Sequence, residues 1–283
     1  MPLPAGNQHQ AQATNESPDE GTAKLKTEGI NQRKKWYERM ETYILPARCQ
    51  SADLLRKKID ELKPWFSNYR LAWNHEIIEW PVCFPGIDHE FFQQRENRVF
   101  SILEKKYEKT CSILDLGCAD GYFPIAAWKR GYRNITALES RADNIRRAKF
   151  AAKLHRAKIR WIHQDVYQYN PLRRFDLILC QGLLYHLENP LGLFEFLKKT
   201  AVRGIVLSGW ARYHTQPVFI VGKEESGDIR NSKKNHILIP SVAGIDALLS
   251  AYEFKNLIVL RPPETPKSPD SGEAVWLEYY FEP

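Results

Sequence analysis

The residues best suited to chemistry lie at the ends of short apolar runs. Ile113-Leu114-Asp115-Leu116-Gly117-Cys118-Ala119-Asp120-Gly121-Tyr122-Phe123 reads as a buried strand, a glycine-containing turn and the start of a helix. Such a turn aims backbone N–H groups and a helix N-terminus at a ligand on the carboxyl edge of a sheet. Gly117 and Gly121 let the main chain come close. A second run ends in Glu139-Ser140, at the distance where an acid accepts hydrogen bonds from ribose hydroxyls. A third ends in Gln164-Asp165-Val166, where the carboxylate can take a base amino group while the valine packs on the ring. A fourth ends in Cys180-Gln181-Gly182, beside the first strand and therefore at the reactive end of the ligand. Asp115, Gly117, Cys118, Ala119, Gly121, Glu139, Ser140, Asp165, Val166 and Gln181 are thus expected to hold a nucleoside-bearing ligand. A nicotinamide dinucleotide would need G-x-G-x-x-G, which Gly117 and Gly121 do not supply.

These positions require alternating elements. Strand-like runs at Ser112–Leu116, Ile135–Glu139, Ile159–His163, Asp176–Cys180 and Gly204–Ser208 are separated by helical stretches at Phe123–Arg130, Asp143–His155 and Pro190–Thr200. Two further strands, Asn256–Arg261 and Ala274–Phe281, would add an antiparallel hairpin at one edge after a helix near Ser241–Tyr252. The expected fold is α/β: a doubly wound, mostly parallel, seven-stranded sheet over residues 99–283 with an insertion at 211–240. Residues 1–30 mix polar residues without periodicity and read as a disordered tail. Residues 31–98 read as a helical, aromatic cap, with one helix through Trp36, Met40, Tyr43 and Ile44 and another through Leu54, Leu55, Ile59 and Leu62.

Composition narrows the setting. Five cysteines, an odd number with no CxxC pair, indicate neither a disulfide framework nor a zinc site, and a reducing, cytoplasmic location is expected. No apolar run is long enough for a membrane span, and the first thirty residues lack the order of a signal peptide. The net charge of +7 suits a polyanion, but also enzymes of small anionic metabolites.

The series Asp115-x-Gly117-x-x-x-Gly121, Glu139, Asp165 resembles the Rossmann-like S-adenosylmethionine-dependent methyltransferases over about Val99 to Pro283. That resemblance implies S-adenosylmethionine as cofactor, with Asp115 near its methionine amino group. Ala119 departs from the family's usual glycine. Gly182-Leu183-Leu184-Tyr185-His186-Leu187-Glu188-Asn189-Pro190, Ile239-Pro240-Ser241, Tyr252-Glu253-Phe254 and Lys63-Pro64-Trp65 are similar, more narrowly, to the tRNA wobble-uridine carboxymethyl transferase family and its metabolite-modifying relatives. The tRNA enzyme uses a carboxylated donor that needs a cationic clamp. Phe66, Ser67 and Glu273 stand where that family places cations, so transfer of a plain methyl group to a small molecule is favoured over tRNA modification. A non-catalytic binding module is the remaining reading, against which the complete set of cofactor residues argues.

Deprotonation of a hydroxyl or acidic carbon would fall to His186, whose alternative is a loop-capping role, with Tyr185 orienting cofactor or acceptor. The acceptor is expected against Arg95, Tyr122, His75, His89 and Trp210. Arg95 either binds an acidic group or makes a surface pair with Glu96 or Asp88. No metal is expected, since the histidines show no ligand spacing.

Overall fold

The computed structural model describes residues 51–73, 76–80, 89–224, 236–261, 268 and 270–283. The chain divides into units Met1–Leu45 and Pro46–Pro283, and every described residue belongs to the second. The expected tail, the helix around Trp36 to Ile44, and His75, Phe84 and Asp88 lie outside the described residues.

Helix α1 (Ala52–Glu61) starts at Ser51, whose hydroxyl accepts from the Leu54 N–H, and buries Leu55 and Ile59. Ser at that position satisfies one of the free N–H groups of the first turn. The indole of Trp65 donates to the Ile59 carbonyl at 2.8 Å and so fixes the exit of the helix. An unexpected antiparallel hairpin follows, β1 (Arg70–Trp73) and β2 (Glu76–Glu79), with Leu71, Trp73 and Ile78 turned inward. Part of the cap is therefore strand, with Leu71 and Trp73 two residues apart on the inward face of β1 and Ile78 inward on β2.

Helix α2 (His89–Lys106) buries Phe92, Arg95, Val99, Phe100 and Leu103, a single inward stripe. It runs unbroken through position 99, where the sequence pattern suggested a domain boundary. The remaining elements are β3 (Ser112–Leu116), α3 (Tyr122–Lys129), β4 (Asn134–Glu139), α4 (Ala142–Leu154), β5 (Arg160–His163), β6 (Phe175–Gln181), a 3₁₀ turn (Leu184–His186), α5 (Pro190–Thr200), β7 (Ala201–Arg212), β8 (Phe219–Lys223), β9 (His236–Pro240), α6 (Val242–Ala251), β10 (Lys255–Arg261) and β11 (Ala274–Glu282).

Seven strands form one sheet in the order β10-β11-β7-β6-β3-β4-β5. Strands β7 to β5 in that order are parallel, and β11 pairs antiparallel with both β7 and β10. Every residue of β3 is buried, as a central parallel strand covered on both faces must be. The chain winds from β3 to β5 on one side and from β6 onward on the other, so β3 and β6 flank the crevice where such sheets bind ligands. The stretch expected as a polar insertion contributes the antiparallel pair β8–β9, and Ser241 caps α6 by accepting from the Gly244 N–H.

Candidate active site

A cavity of about 560 Å³ opens at the carboxyl ends of β3, β4, β5 and β6. Asp115, Gly117, Cys118, Ala119, Glu139, Ser140, Asp165, Val166 and Gln181 all line it, as do Tyr185, His186, Arg95, Tyr122 and Trp210. Two expected residues among those described do not. Gly121 caps α3 at φ +91°, and a Cβ there would meet Trp161 and Ala148, so its place in the motif serves helix packing. His89 opens α2 away from the cavity, and burial lowers its imidazole pKa below the ordinary value.

The acids occupy contrasting settings. Asp115 is 2% exposed, and its carboxyl pKa is pushed well above the usual range by burial and then by the charge of Glu139, with Arg95 acting the other way. No hydrogen bond from a described residue compensates it. Glu139 is also buried, but its Oε2 accepts from the Ala119 N–H at 3.0 Å and its Oε1 from the Arg141 N–H at 2.9 Å. A carboxylate has about four acceptor sites, so Glu139 fixes the glycine loop and keeps capacity for a ligand. Ala119 sits at φ +48°, the left-handed conformation that explains why glycine is usual there. Asp165 takes the Tyr167 N–H at 3.1 Å within its own loop.

Asp120 was not singled out in the sequence, yet it anchors the cover. Its Oδ2 accepts from the Phe66 and Ser67 N–H groups at 2.8 Å each, and its Oδ1 from the Ser67 hydroxyl at 2.5 Å. The glycine loop is thereby pinned to the segment after α1, and Phe66 and Ser67 join the cavity wall. Tyr122 has its hydroxyl committed to Glu96 at 2.8 Å, so it offers a ring to the cavity.

Beyond β6 the wall changes character. Arg95 is buried, and of the two surface acids considered above the described one, Glu96, is taken by Arg130 at 3.0 Å, while Arg95 lies beside Glu278 of β11. Gln181, expected to touch the cofactor, turns its Oε1 to Arg95 Nη2 at 3.2 Å and to the Ser208 hydroxyl at 3.0 Å. Trp276 and Trp210 meet edge to face at 5.4 Å, with Trp210 partly exposed at the rim. The rings of Tyr185 and His186 lie 4.2 Å apart on the 3₁₀ turn, and His186 Nδ1 is 3.2 Å from Oε1 of Glu224, a residue the sequence gave no reason to select.

A family model described as "Methyltransferase domain" matches residues 69–216. The chain belongs to this methyltransferase family. The tRNA U34 carboxymethyltransferase of Pasteurella multocida (strain Pm70) is 26% identical to the methyltransferase over 211 residues, covering 70% of this chain and 59% of that protein. The chain thus spans about three-fifths of the length of that relative. The ubiquinone biosynthesis O-methyltransferase of Rickettsia conorii (strain ATCC VR-613 / Malish 7) is 28% identical over 93 residues, 31% of this chain and 32% of that one. Among solved structures, the N-terminal domain of EvdMO1, crystallised in the presence of SAH and D-fucose, superimposes with a TM-score of 0.67 at 23% identity, covering 84% of this chain and 99% of that one. That likeness shows the shared fold.

The N-terminal domain of EvdMO1 was also crystallised with SAH bound, and the cavity of the methyltransferase fits S-adenosylmethionine chemically. A buried, uncompensated carboxyl at Asp115 and a second acid at Glu139 complement a ligand carrying an amino group, a sulfonium and ribose hydroxyls. Among the described residues no cluster of three His, Cys, Asp or Glu side chains is arranged to hold a metal, and no helix is long and apolar enough to cross a membrane.

Proposed function

We propose that the methyltransferase methylates a small molecule enclosed in this cavity, at a hydroxyl or acidic carbon. One observation carries the reading: a single cavity joins a nucleoside-suited end on β3, β4 and β5 to an aromatic end on β6, β7 and β11 that also holds Arg95. Its volume falls in the range of small-ligand sites, about 300–1,000 Å³. In this reading Asp115 holds the donor's amino group, Glu139 its ribose, and Asp165 with Val166 its base. Bound S-adenosylmethionine supplies an electrophilic methyl group. The residues beyond β6 position the acceptor and exclude water, which converts an encounter into a near-unimolecular step. His186 takes the acceptor's proton, and Glu224 beside Nδ1 fixes the ring and stabilises the imidazolium.

Modification of a wobble uridine is the second reading, motivated by the tRNA U34 carboxymethyltransferases among the relatives. Incubating the protein with methyl-labelled S-adenosylmethionine, a small-metabolite extract and bulk tRNA separates the two. Label in the small-molecule fraction is expected, and label confined to tRNA would overturn the first reading.

A further inference from the structure

Arg95 brings an unbalanced charge to the cavity. Its side chain is 3% exposed, and its hydrogen bonds leave from Nη2 toward two neutral acceptors, Gln181 Oε1 at 3.2 Å and Ser208 Oγ at 3.3 Å. The carboxylate beside it, Glu278, is wholly buried and already committed. Glu278 accepts from Arg98 Nε at 2.5 Å, from Arg98 Nη2 at 2.9 Å and from the Trp276 indole at 3.1 Å. Arg95 Nε stands 3.9 Å away from Glu278 Oε1 and has no hydrogen-bond partner among the described residues. Two guanidinium groups therefore share one carboxylate.

The surplus positive charge is real at neutral pH: burial brings the guanidinium down to about 10, and no further. Phe91, Phe123 and Trp276 surround it, with centroids 5.5, 5.2 and 4.7 Å from the guanidinium carbon. Aromatic rings ease the burial of a cation without taking up its N–H groups. Asp115 also senses Arg95, but in the proposed complex that carboxylate faces the donor's amino group. A buried cation with unspent donors on a cavity wall is the setting in which a planar anion binds well.

We propose that this end of the cavity is an anion subsite and that the methyl acceptor is a small molecule bearing a carboxylate, bound by the Arg95 donors that Gln181 and Ser208 leave free. The proposal rests on the cavity being the donor and acceptor site described above. Arg98 keeps Glu278 paired when Arg95 is replaced, so substitution does not strand a buried carboxylate.

Calorimetry on the full chain loaded with S-adenosylhomocysteine tests this, using benzoate and its uncharged match benzamide as probes. Benzoate is expected to bind at least about tenfold more tightly than benzamide, and Arg95→Met, measured with the chain saturated in S-adenosylhomocysteine, to abolish that preference. Arg95→Lys, which keeps the charge without the planar fork, should retain part of the preference and decides the matter if Arg95→Met does not fold. Equal binding of the two probes, or an unchanged preference in both variants, overturns the subsite. Failure of S-adenosylhomocysteine to bind at all would count against the donor site instead, and benzoate titrated into the ligand-free chain then judges the subsite alone. Arg95-dependent preference for carboxy-S-adenosylmethionine over S-adenosylmethionine would assign the charge to the donor and overturn the acceptor proposal.

Discussion

Nδ1 of His186 lies 3.2 Å from Oε1 of Glu224, joining the turn after β6 to the residue that follows β8. Both side chains are largely shielded, at 15% and 12% exposure, so the carboxylate acts on the ring with little screening by water. With the Glu224 carboxylate beside Nδ1, Nε2 is, in the proposed mechanism, the nitrogen to receive a proton from a ligand in the cavity that His186 lines. His186→Gln is expected to lower turnover about 10²–10⁴-fold with cofactor affinity nearly constant. Glu224→Gln should give a smaller loss, through orientation of the ring. Steady-state kinetics alongside calorimetry check both; a fall in cofactor affinity would make His186 a loop residue.

Asp115 links function to stability with opposite signs. Its folded-state pKa is raised above the unfolded value, so the cofactor-free protein carries a stability cost that starts to shrink as pH falls through the raised pKa and is gone below the ordinary carboxylate range. Asp115→Asn should therefore raise the Tm of the cofactor-free protein at neutral pH and weaken S-adenosylmethionine binding. Cofactor affinity of the wild type should decline in acid as Asp115 takes up a proton, and the Asn variant should lack that pH dependence. Thermal melts and calorimetry across pH read both effects.

Glu139 serves the loop as well as the ligand, since it accepts from the Ala119 and Arg141 amides. Hydrogen bonds to a charged acceptor are worth about 1.5–3 kcal/mol, so Glu139→Ala should cost at least about tenfold in cofactor affinity. A drop in Tm should accompany it because two amides lose their acceptor. Glu139→Gln keeps one carbonyl oxygen and should fall between. Unchanged affinity in the Ala variant would remove Glu139 from the ligand site.

Ala119 holds a left-handed backbone at φ +48° that glycine adopts freely. Relief of that strain, about 1–2 kcal/mol, exceeds the extra entropy glycine brings to the unfolded chain, about 0.4–1 kcal/mol. Ala119→Gly is expected to raise Tm by a few degrees without harming cofactor binding. An unchanged or lower Tm would mean the loop already accommodates the methyl group without strain.

By itself the sequence determined which strand-end residues would meet along one edge of the sheet. Asp115, Glu139, Asp165 and Gln181 end or follow successive parallel strands, and the regular βαβ chirality brings such ends to one edge whatever the rest of the chain does. The alternation of strands and helices and the terminal antiparallel pair were legible too, because apolar runs and turn residues are local signals. The β1–β2 hairpin escaped notice because its strands are only four residues long, too short for a period to stand out. Only the tertiary structure decided the end of the cavity around Arg95. Arg95 and Arg98 on α2 meet Glu278 from the last strand, 180 residues beyond Arg98, and whether a guanidinium is buried or solvated depends on packing that no local pattern encodes. Asp120 likewise reads as an ordinary turn acid until Phe66 and Ser67 fold onto it. Gly121 shows the converse: a motif position with a ligand-binding appearance that the fold spends on seating α3 against α4.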